Sequence, residues 1–495
     1  MVSERTRVAG IFFIAIIATW FAFRNVASAN FTGDDWLFLA VLRHIDTPLD
    51  IFTSNIGGAY FYRPVALFGF WLSESAFGTN AAAHYTINVA LHGWVAFEVY
   101  AFALLLTHDR QRAAWTAVLF LVFPATAATP LWISDRFDLI ATAAMLCSIR
   151  QLGAWTAAPT SADNRLWASL AMLLVALGSK EIAFALVPAS MLVLLLQTAR
   201  PLRKRVIAAC LIAVVATLSL LVRVLALGGL KGTEGLATNV SAVTSGAVLW
   251  FERLPTALQT YNGHYGIIFL ASMLIIVGWH WRYERSRPET LVAVGLISAL
   301  AVMALGVIIV QSPITALILP RDSESIATGT MRLYYAPLAI SFIVLATVPP
   351  RFELTRFWRM TTTMVLLATT ISFAIGGEKQ SRNWATHTSN EQQRTAPALA
   401  AYAERARLAQ DTHPCIVRLP DSVAIQPDLD PRFKANLNRS DPRVNCVLLT
   451  NPPQIQTITR HANCNARSVA PARCAPASPA PMQRSGTCTY FFLTE

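Results

Sequence analysis

Long apolar runs broken by short polar turns fill the chain up to about residue 377, and a polar stretch without any such run follows. The runs lie near 8–28, 86–106, 113–131, 138–156, 166–179, 182–199, 206–227, 264–281, 290–310, 333–348 and 360–376. Most approach the ~20 apolar residues that carry an α-helix across a bilayer. The pattern therefore predicts an all-α polytopic membrane protein with about 11 transmembrane helices. The first run ends in Val26-Ala-Ser-Ala29, small residues of the kind found at signal-cleavage sites, but its apolar part is long for a signal peptide. An uncleaved anchor is expected. Residues 61–77 are aromatic-rich and mixed with polar positions, which suits a helix lying in the headgroup plane. It belongs to a large first outer loop at 30–85.

From Glu378 to Glu495 the chain is rich in Pro, Asn, Arg and Thr. It predicts a small C-terminal soluble domain, α+β or β-containing, with short strands at "CIVRL" (415–419) and "CVLLT" (446–450). The Pro/Ala run 469–482 reads as a loop or linker.

Charge sets the orientation. The chain is 54% hydrophobic and 14% charged, yet carries a formal net charge of +12. Basic clusters sit at Arg5 and Arg7, Arg110 and Arg112, 200–205, 281–287 and 351–359, all on one side if every run crosses. By the positive-inside rule that side is the cytoplasm. The expected protein is a multi-pass component of the cell's inner (plasma) membrane, its N-terminus cytoplasmic and its C-terminal domain periplasmic or otherwise extracytoplasmic. No basic patch is interleaved with aromatics, so no nucleic-acid partner is expected. Five of the seven cysteines (Cys415, Cys446, Cys464, Cys474, Cys488) fall in the polar tail. An exported domain favours disulfides, with Cys464 and Cys474 the first pair to expect. The cysteines lack the tight C-x-x-C spacing of a zinc site.

Several outward-facing polar groups then need a reason to be there, because ionisable side chains at a bilayer are costly. Asp34 and Asp35 lie just past the first run, in "FTGDDWLF". Arg63 sits in "YFYRPV", and His84, Asn88 and His92 recur every four residues, on one face of a helix. "WISDRFDLIA" supplies Asp135, Arg136 and Asp138; "SKE" supplies Lys180 and Glu181; "MRLYYAPL" supplies Arg332 and Tyr335. Taken singly, each has a structural alternative: a helix cap for either aspartate, an interfacial anchor for the arginines, a satisfied core histidine for His84. Together they converge on one membrane face.

The ordered set Asp-Asp, Tyr-Arg-Pro, His-x-x-x-Asn-x-x-x-His, Trp-Ile-Ser-x-Arg-x-Asp-Leu, Ser-Lys-Glu and Arg-x-Tyr-Tyr-x-Pro resembles the GT-C superfamily. It is most similar to the protein O-mannosyltransferases whose membrane region is followed by tetratricopeptide repeats. The resemblance covers roughly residues 30 to 340. It departs from the pattern in lacking those repeats and in having Phe123-Pro124 where relatives often carry His-Pro.

The resemblance implies an enzyme that takes a sugar from a polyprenyl-phosphate carrier and transfers it outside the cytoplasm to a protein or to an envelope glycan or lipid. Membrane lipids are its surroundings. An inverting transfer needs a carboxylate to accept the acceptor's proton, and cations to hold the departing phosphate. Asp35 is the expected base and Asp34 the second choice. Arg63, Arg136, Lys180 and Arg332 are the expected phosphate contacts. His84, Asn88, Asp138, Glu181 and Tyr335 are further candidates for the site. Some relatives coordinate a divalent ion with such acids; the sequence does not decide whether this chain does, and the four basic residues nearby make a metal less necessary. A flippase or transporter for a lipid-linked sugar is the competing class. It predicts internally repeated halves with broken helices at mid-membrane, and no such repeat is present.

Overall fold

The computed structural model describes residues 17, 19–31, 35, 38, 42, 45, 47–53, 62–157, 163–196, 199–227, 335–347, 356–408, 414–417, 446–447, 454–456 and 489–494. The expected spans at 264–281 and 290–310 lie outside them, as do Asp34, Arg332, Cys464, Cys474 and Cys488.

After a 3-10 turn at Arg24–Ser28 come α1 (Pro64–Phe77), α2 (Ala81–Thr107), α3 (Arg110–Val122), α4 (Arg136–Ala157) and α5 (Asn164–Leu177). Then follow α6 (Leu186–Leu196), α7 (Leu202–Leu227), α8 (Tyr335–Ala346) and α9 (Arg356–Leu408). Local chemistry fixes many of the ends. Pro64 starts α1, where its missing N–H costs nothing, and Gly78 ends it at φ 53°, a conformation that suits glycine. Asn80 caps α2 by accepting from the Ala83 N–H at 3.3 Å. Asp109 caps α3 through the N–H groups of Gln111 and Arg112 at 2.9 and 3.1 Å.

The apolar run 113–131 does not form one helix. α3 stops at Val122, and a separate turn, Pro124–Ala127, follows. Pro124 has no N–H to continue the ladder. The Phe120 carbonyl is met instead by the Thr126 hydroxyl at 3.0 Å, and the Leu121 carbonyl by His92 Nε2 at 3.1 Å.

α2 and α7 are long and apolar enough to cross a membrane. They differ in packing: 56% of the most apolar stretch of α2 is buried, against 11% for α7. α7 therefore turns a row of large side chains outward, among them Val206, Val214, Leu218 and Leu225, as a helix facing lipid does. α2, α3, α4, α5 and α8 interlock around Val99, Phe102, Phe120, Leu146, Trp155 and Val344. Within this core Arg150 of α4 grips Glu98 of α2 with two bonds, at 2.8 and 3.1 Å.

A second core sits at one end of the bundle, around Phe23, Phe31, Ile51, Phe70, Tyr85, Ile133 and Phe137. This is the layer that carries the candidate site. α9 joins it through Trp384 and Ala385. The composition break at Gly377 falls inside this 53-residue helix rather than at its end. The next turns dock on the segment that starts at the 3-10 turn: Asn25 donates to Glu378 Oε1 at 3.1 Å and to Ser381 Oγ at 3.2 Å. The Asn30 N–H meets Thr388 Oγ1 at 3.0 Å, and Trp384 Nε1 donates to the Tyr85 hydroxyl at 3.0 Å. Helix persists there because polar residues are no bar to it once one face finds partners. Further along, four short strands, β1 (Pro414–Val417), β2 (Cys446–Val447), β3 (Gln454–Gln456) and β4 (Thr489–Thr494), pair in the order β2-β1-β4-β3. β1 runs parallel to β2 and β4, and β3 runs antiparallel to β4.

Candidate active site

Asp35 is fully buried, at 0% exposure. Its Oδ1 accepts from the Ser134 N–H at 2.8 Å and from the Ser134 hydroxyl at 2.5 Å. Ser134 lies in the 3-10 turn Ile133–Asp135 that leads directly into α4. One oxygen of the carboxylate is thus held by the turn that "WISDRFDLIA" forms.

One residue past that turn, Arg136 is buried at 1% exposure. Nε donates to Asn88 Oδ1 at 2.9 Å, one terminal nitrogen to Ser73 Oγ at 2.7 Å, and the other to the His84 carbonyl at 3.0 Å. Its guanidinium also stands 4.3 Å over the Phe70 ring, and Asp35 adds a nearby negative charge. A guanidinium so committed ties α1, α2 and α4 together. The fork of Arg136, an expected phosphate contact, is turned inward in this structure, each of its three nitrogens donating to a protein group.

The same network explains two other candidates. Asn88 donates to the Trp132 carbonyl at 2.9 Å while receiving Arg136, so both ends of its amide are used. His84 Nε2 lies 3.0 Å from the Gly78 carbonyl, which can only accept, so Nε2 carries the proton. His84 and Asn88 thus serve as supports for Arg136.

Beyond Phe137, Asp138 forms a buried pair with Lys180. Tyr335 of α8 stands near Asp138, and its hydroxyl bonds His92 Nδ1. Since His92 Nε2 must donate to the Leu121 carbonyl, Nδ1 is the acceptor and the Tyr335 hydroxyl the donor. The pair fastens α8 to α2 at the break in α3.

Glu181 receives two arginines. Arg63 donates to Oε2 through Nε at 3.0 Å and a terminal nitrogen at 2.8 Å, and Arg223 donates to Oε1 at 2.9 Å. Burial alone raises the proton affinity of Glu181, but the two guanidiniums outweigh it and hold the carboxyl down at about 2. Glu181 lies ahead of the apolar run 182–199. Arg63 reaches it because α1 starts hard against the turn at Gly178. The Val65 N–H donates to the Gly178 carbonyl at 2.9 Å, and a Cβ on Gly178 would come within 2.6 Å of Val65 Cγ2. Arg63 also lies 5.1 Å from the Phe137 ring centroid.

The structure thus brings Asp35, Arg136, Asp138, Lys180, Arg63, Glu181 and Tyr335 to one end of the bundle. Among the described members, the cations Arg63, Arg136, Lys180 and Arg223 stand against the carboxylates Asp35, Asp135, Asp138 and Glu181, four of each. Three participants escaped sequence reasoning. Ser73 carries no pattern that marks it. Ser134 was visible within its motif but had no assigned task. Arg223 did carry a signal, as the lone charge in the apolar "LLVRVLAL" (220–227). Among the described residues no three His, Cys, Asp or Glu side chains gather as a metal would require; Asp138 and Glu181 face cations of the protein itself.

No protein-family model matches the sequence, and no curated protein matches it. Among solved structures the chain is similar to ArnT from Cupriavidus metallidurans in the apo state. The TM-score is 0.50 at 15% identity, over 85% of this chain and 84% of that one. ArnT bound to undecaprenyl phosphate gives a TM-score of 0.42 at 15% identity, over 88% of this chain and 89% of that one. The archaeal oligosaccharyltransferase AglB from Archaeoglobus fulgidus, in complex with an inhibitory peptide and a dolichol-phosphate, gives 0.48 at 13% identity, over 77% of this chain and 56% of that one. The first likeness shows that the chain shares the fold of ArnT. At these identities the fold is what is shared.

Proposed function

We propose that the chain is a membrane glycosyltransferase that moves a sugar from a polyprenyl-phosphate donor to a protein or to an envelope glycan or lipid outside the cytoplasm. The observation that carries this reading is Asp35: a fully buried carboxylate, oriented by Ser134, beside a cluster of arginines and a lysine on the fold shared with ArnT. The step is a single displacement. The acceptor oxygen forms a bond to the anomeric carbon as its proton passes to Asp35. The bond from that carbon to the phosphate oxygen breaks, the phosphate keeping the electron pair, and the configuration inverts.

Each part of the cluster has a task in this reading. Ser134 fixes one oxygen of the base, so little reorientation is needed at the moment of transfer. Arg63 and Arg223 share one carboxylate and so offer excess positive charge to a leaving phosphate. Lys180, the residue before Glu181, pairs with Asp138. Preorganised cations of this kind serve best where charge develops. The outward apolar rows of α7 and α9 suit a lipid-embedded protein whose donor has a long hydrocarbon tail. The resemblance to O-mannosyltransferases makes mannose the first donor sugar to try.

The test is transfer in vitro by the purified full chain with polyprenyl-phosphate sugars. Asp35→Asn keeps the shape but is a far poorer proton acceptor, and a positioned base contributes typically ~10²–10⁴-fold. A fall of that size with unchanged thermal stability is expected. Wild-type turnover by Asp35→Asn would remove Asp35 from the mechanism. Transfer by wild type from none of the donors would count against the reading as a whole.

A further inference from the structure

At the end of the bundle opposite the site, the chain presents two sets of cationic side chains that do different things. One set is pinned. Arg200 is buried at 3% exposure, donates Nε to the Trp155 carbonyl at 2.9 Å and stands 4.8 Å over the Trp155 ring. Arg205 donates to the Leu194 and Leu195 carbonyls at 3.0 and 3.2 Å, closing the end of α6.

The other set is exposed. Arg165 at the start of α5 and Arg203 at the start of α7 make no hydrogen bond or ion pair with another described residue. Lys204 stands 3.7 Å from Asp163, with both side chains about half exposed. Such a pair is weak, and the better partner of Asp163 is the Trp155 indole at 3.1 Å. Lys204 is therefore available to another anion.

Apolar surface continues from this exposed set. Trp167, 60% exposed, starts an outward stripe on α5 that runs through Ala171 to Leu174. Leu202 and Val206 open the outward row of α7, which packs against α5. An exposed tryptophan at the end of an apolar stripe marks the headgroup level of a bilayer.

The geometry points to a binding surface for an anionic phospholipid at this end of α5 and α7. Its headgroup phosphate is met by Arg165, Arg203 and Lys204, and its acyl chains lie along Trp167, Leu174 and Val206. The charge is complementary: three exposed cations face a single acid, Asp163, that already has a partner in the Trp155 indole. A zwitterionic lipid would leave that charge unbalanced. The pinned set keeps α6 and α7 in place, so the exposed cations are presented on rigid helix ends. This surface has no part in sugar transfer as proposed above, and it stands or falls separately.

The experiment uses the full chain purified in a neutral detergent and titrated with phosphatidylglycerol or phosphatidylcholine, with bound lipid counted by native mass spectrometry. Phosphatidylglycerol should be retained at concentrations where phosphatidylcholine is not. Each basic residue near a membrane surface contributes about fivefold in binding, so Arg165→Gln with Arg203→Gln and Lys204→Gln should weaken retention on the order of a hundredfold. Arg165→Lys with Arg203→Lys and Lys204→Arg should keep it, which separates lost charge from lost folding. Arg110→Gln with Arg112→Gln, on another basic turn of the same side, should leave it unchanged. Equal retention of the two lipids, undiminished retention by the triple glutamine variant, or equal loss in the Arg110/Arg112 variant would overturn the surface. Displacement by millimolar inorganic phosphate would show a bare anion site and overturn the lipid assignment.

Discussion

Replacing Arg136 distinguishes a structural cation from a phosphate ligand, because the two roles fail in opposite ways. In Arg136→Ala three acceptors lose their donor inside the protein: Asn88 Oδ1, Ser73 Oγ and the His84 carbonyl. An unsatisfied buried polar group costs about 1–3 kcal/mol, so the three together cost roughly 3–9 kcal/mol. The stacking on Phe70 and the balance of charge with Asp35 are lost as well. Folded proteins are stable by only ~5–15 kcal/mol, so Arg136→Ala is expected to fail to accumulate as a folded species. Arg136→Lys keeps the charge but reaches one acceptor in place of three. Two acceptors then go unpaired, at about 2–6 kcal/mol, and the variant should be recovered with a clearly lowered thermal midpoint. The assay is fluorescence-detected size-exclusion of the full chain after heating, run beside donor transfer. A variant with a wild-type midpoint and abolished transfer would refute the argument and return Arg136 to the phosphate.

Three further outcomes follow from the charges. Glu181 holds its carboxyl at about 2 in the folded protein against an ordinary value of 4.5, so its contribution to stability is complete above about pH 4.5 and is lost as the pH falls towards 2. Thermal midpoints measured across that window should fall more steeply for wild type than for Glu181→Gln, which should be the less stable of the two at neutral pH; parallel curves would discount the pairing with Arg63 and Arg223. Breaking the bidentate Glu98–Arg150 pair with Glu98→Ala alone should cost about 3–5 kcal/mol, whereas Glu98→Met with Arg150→Met should recover much of it. If the double variant is as unstable as the single one, the penalty is not an orphaned charge. Fusions of a reporter active only outside the cytoplasm should be active after Gly377 and silent after Arg205; the reverse at either point rejects the eleven-span orientation.

Sequence and tertiary structure divided the description along physical lines. Apolar run length is a one-dimensional property, so α2 and α7 could be read directly from the chain as helices long and apolar enough to cross a membrane. Punctuation was legible too: Pro64, Asn80 and Asp109 act within a few residues of themselves. Pro124 was equally visible, yet the run 113–131 read as continuous because hydropathy averages over the break. The polar tail obscured α9 for the opposite reason: composition changes at Gly377, but helix continues where Asn25, Asn30 and Tyr85 supply partners from more than 290 positions away. Order along the chain named acids and bases that the structure brings to one end of the bundle, but not the partner each would have. Whether an arginine meets a ligand or the protein depends on where its fork points, and that is set by side chains on other helices. Arg136 turns inward to Ser73, His84 and Asn88, while Arg63 meets Arg223 across Glu181. Residue type and spacing determine what chemistry is available; the distances between helices that are remote in sequence decide which groups are already spent on the fold.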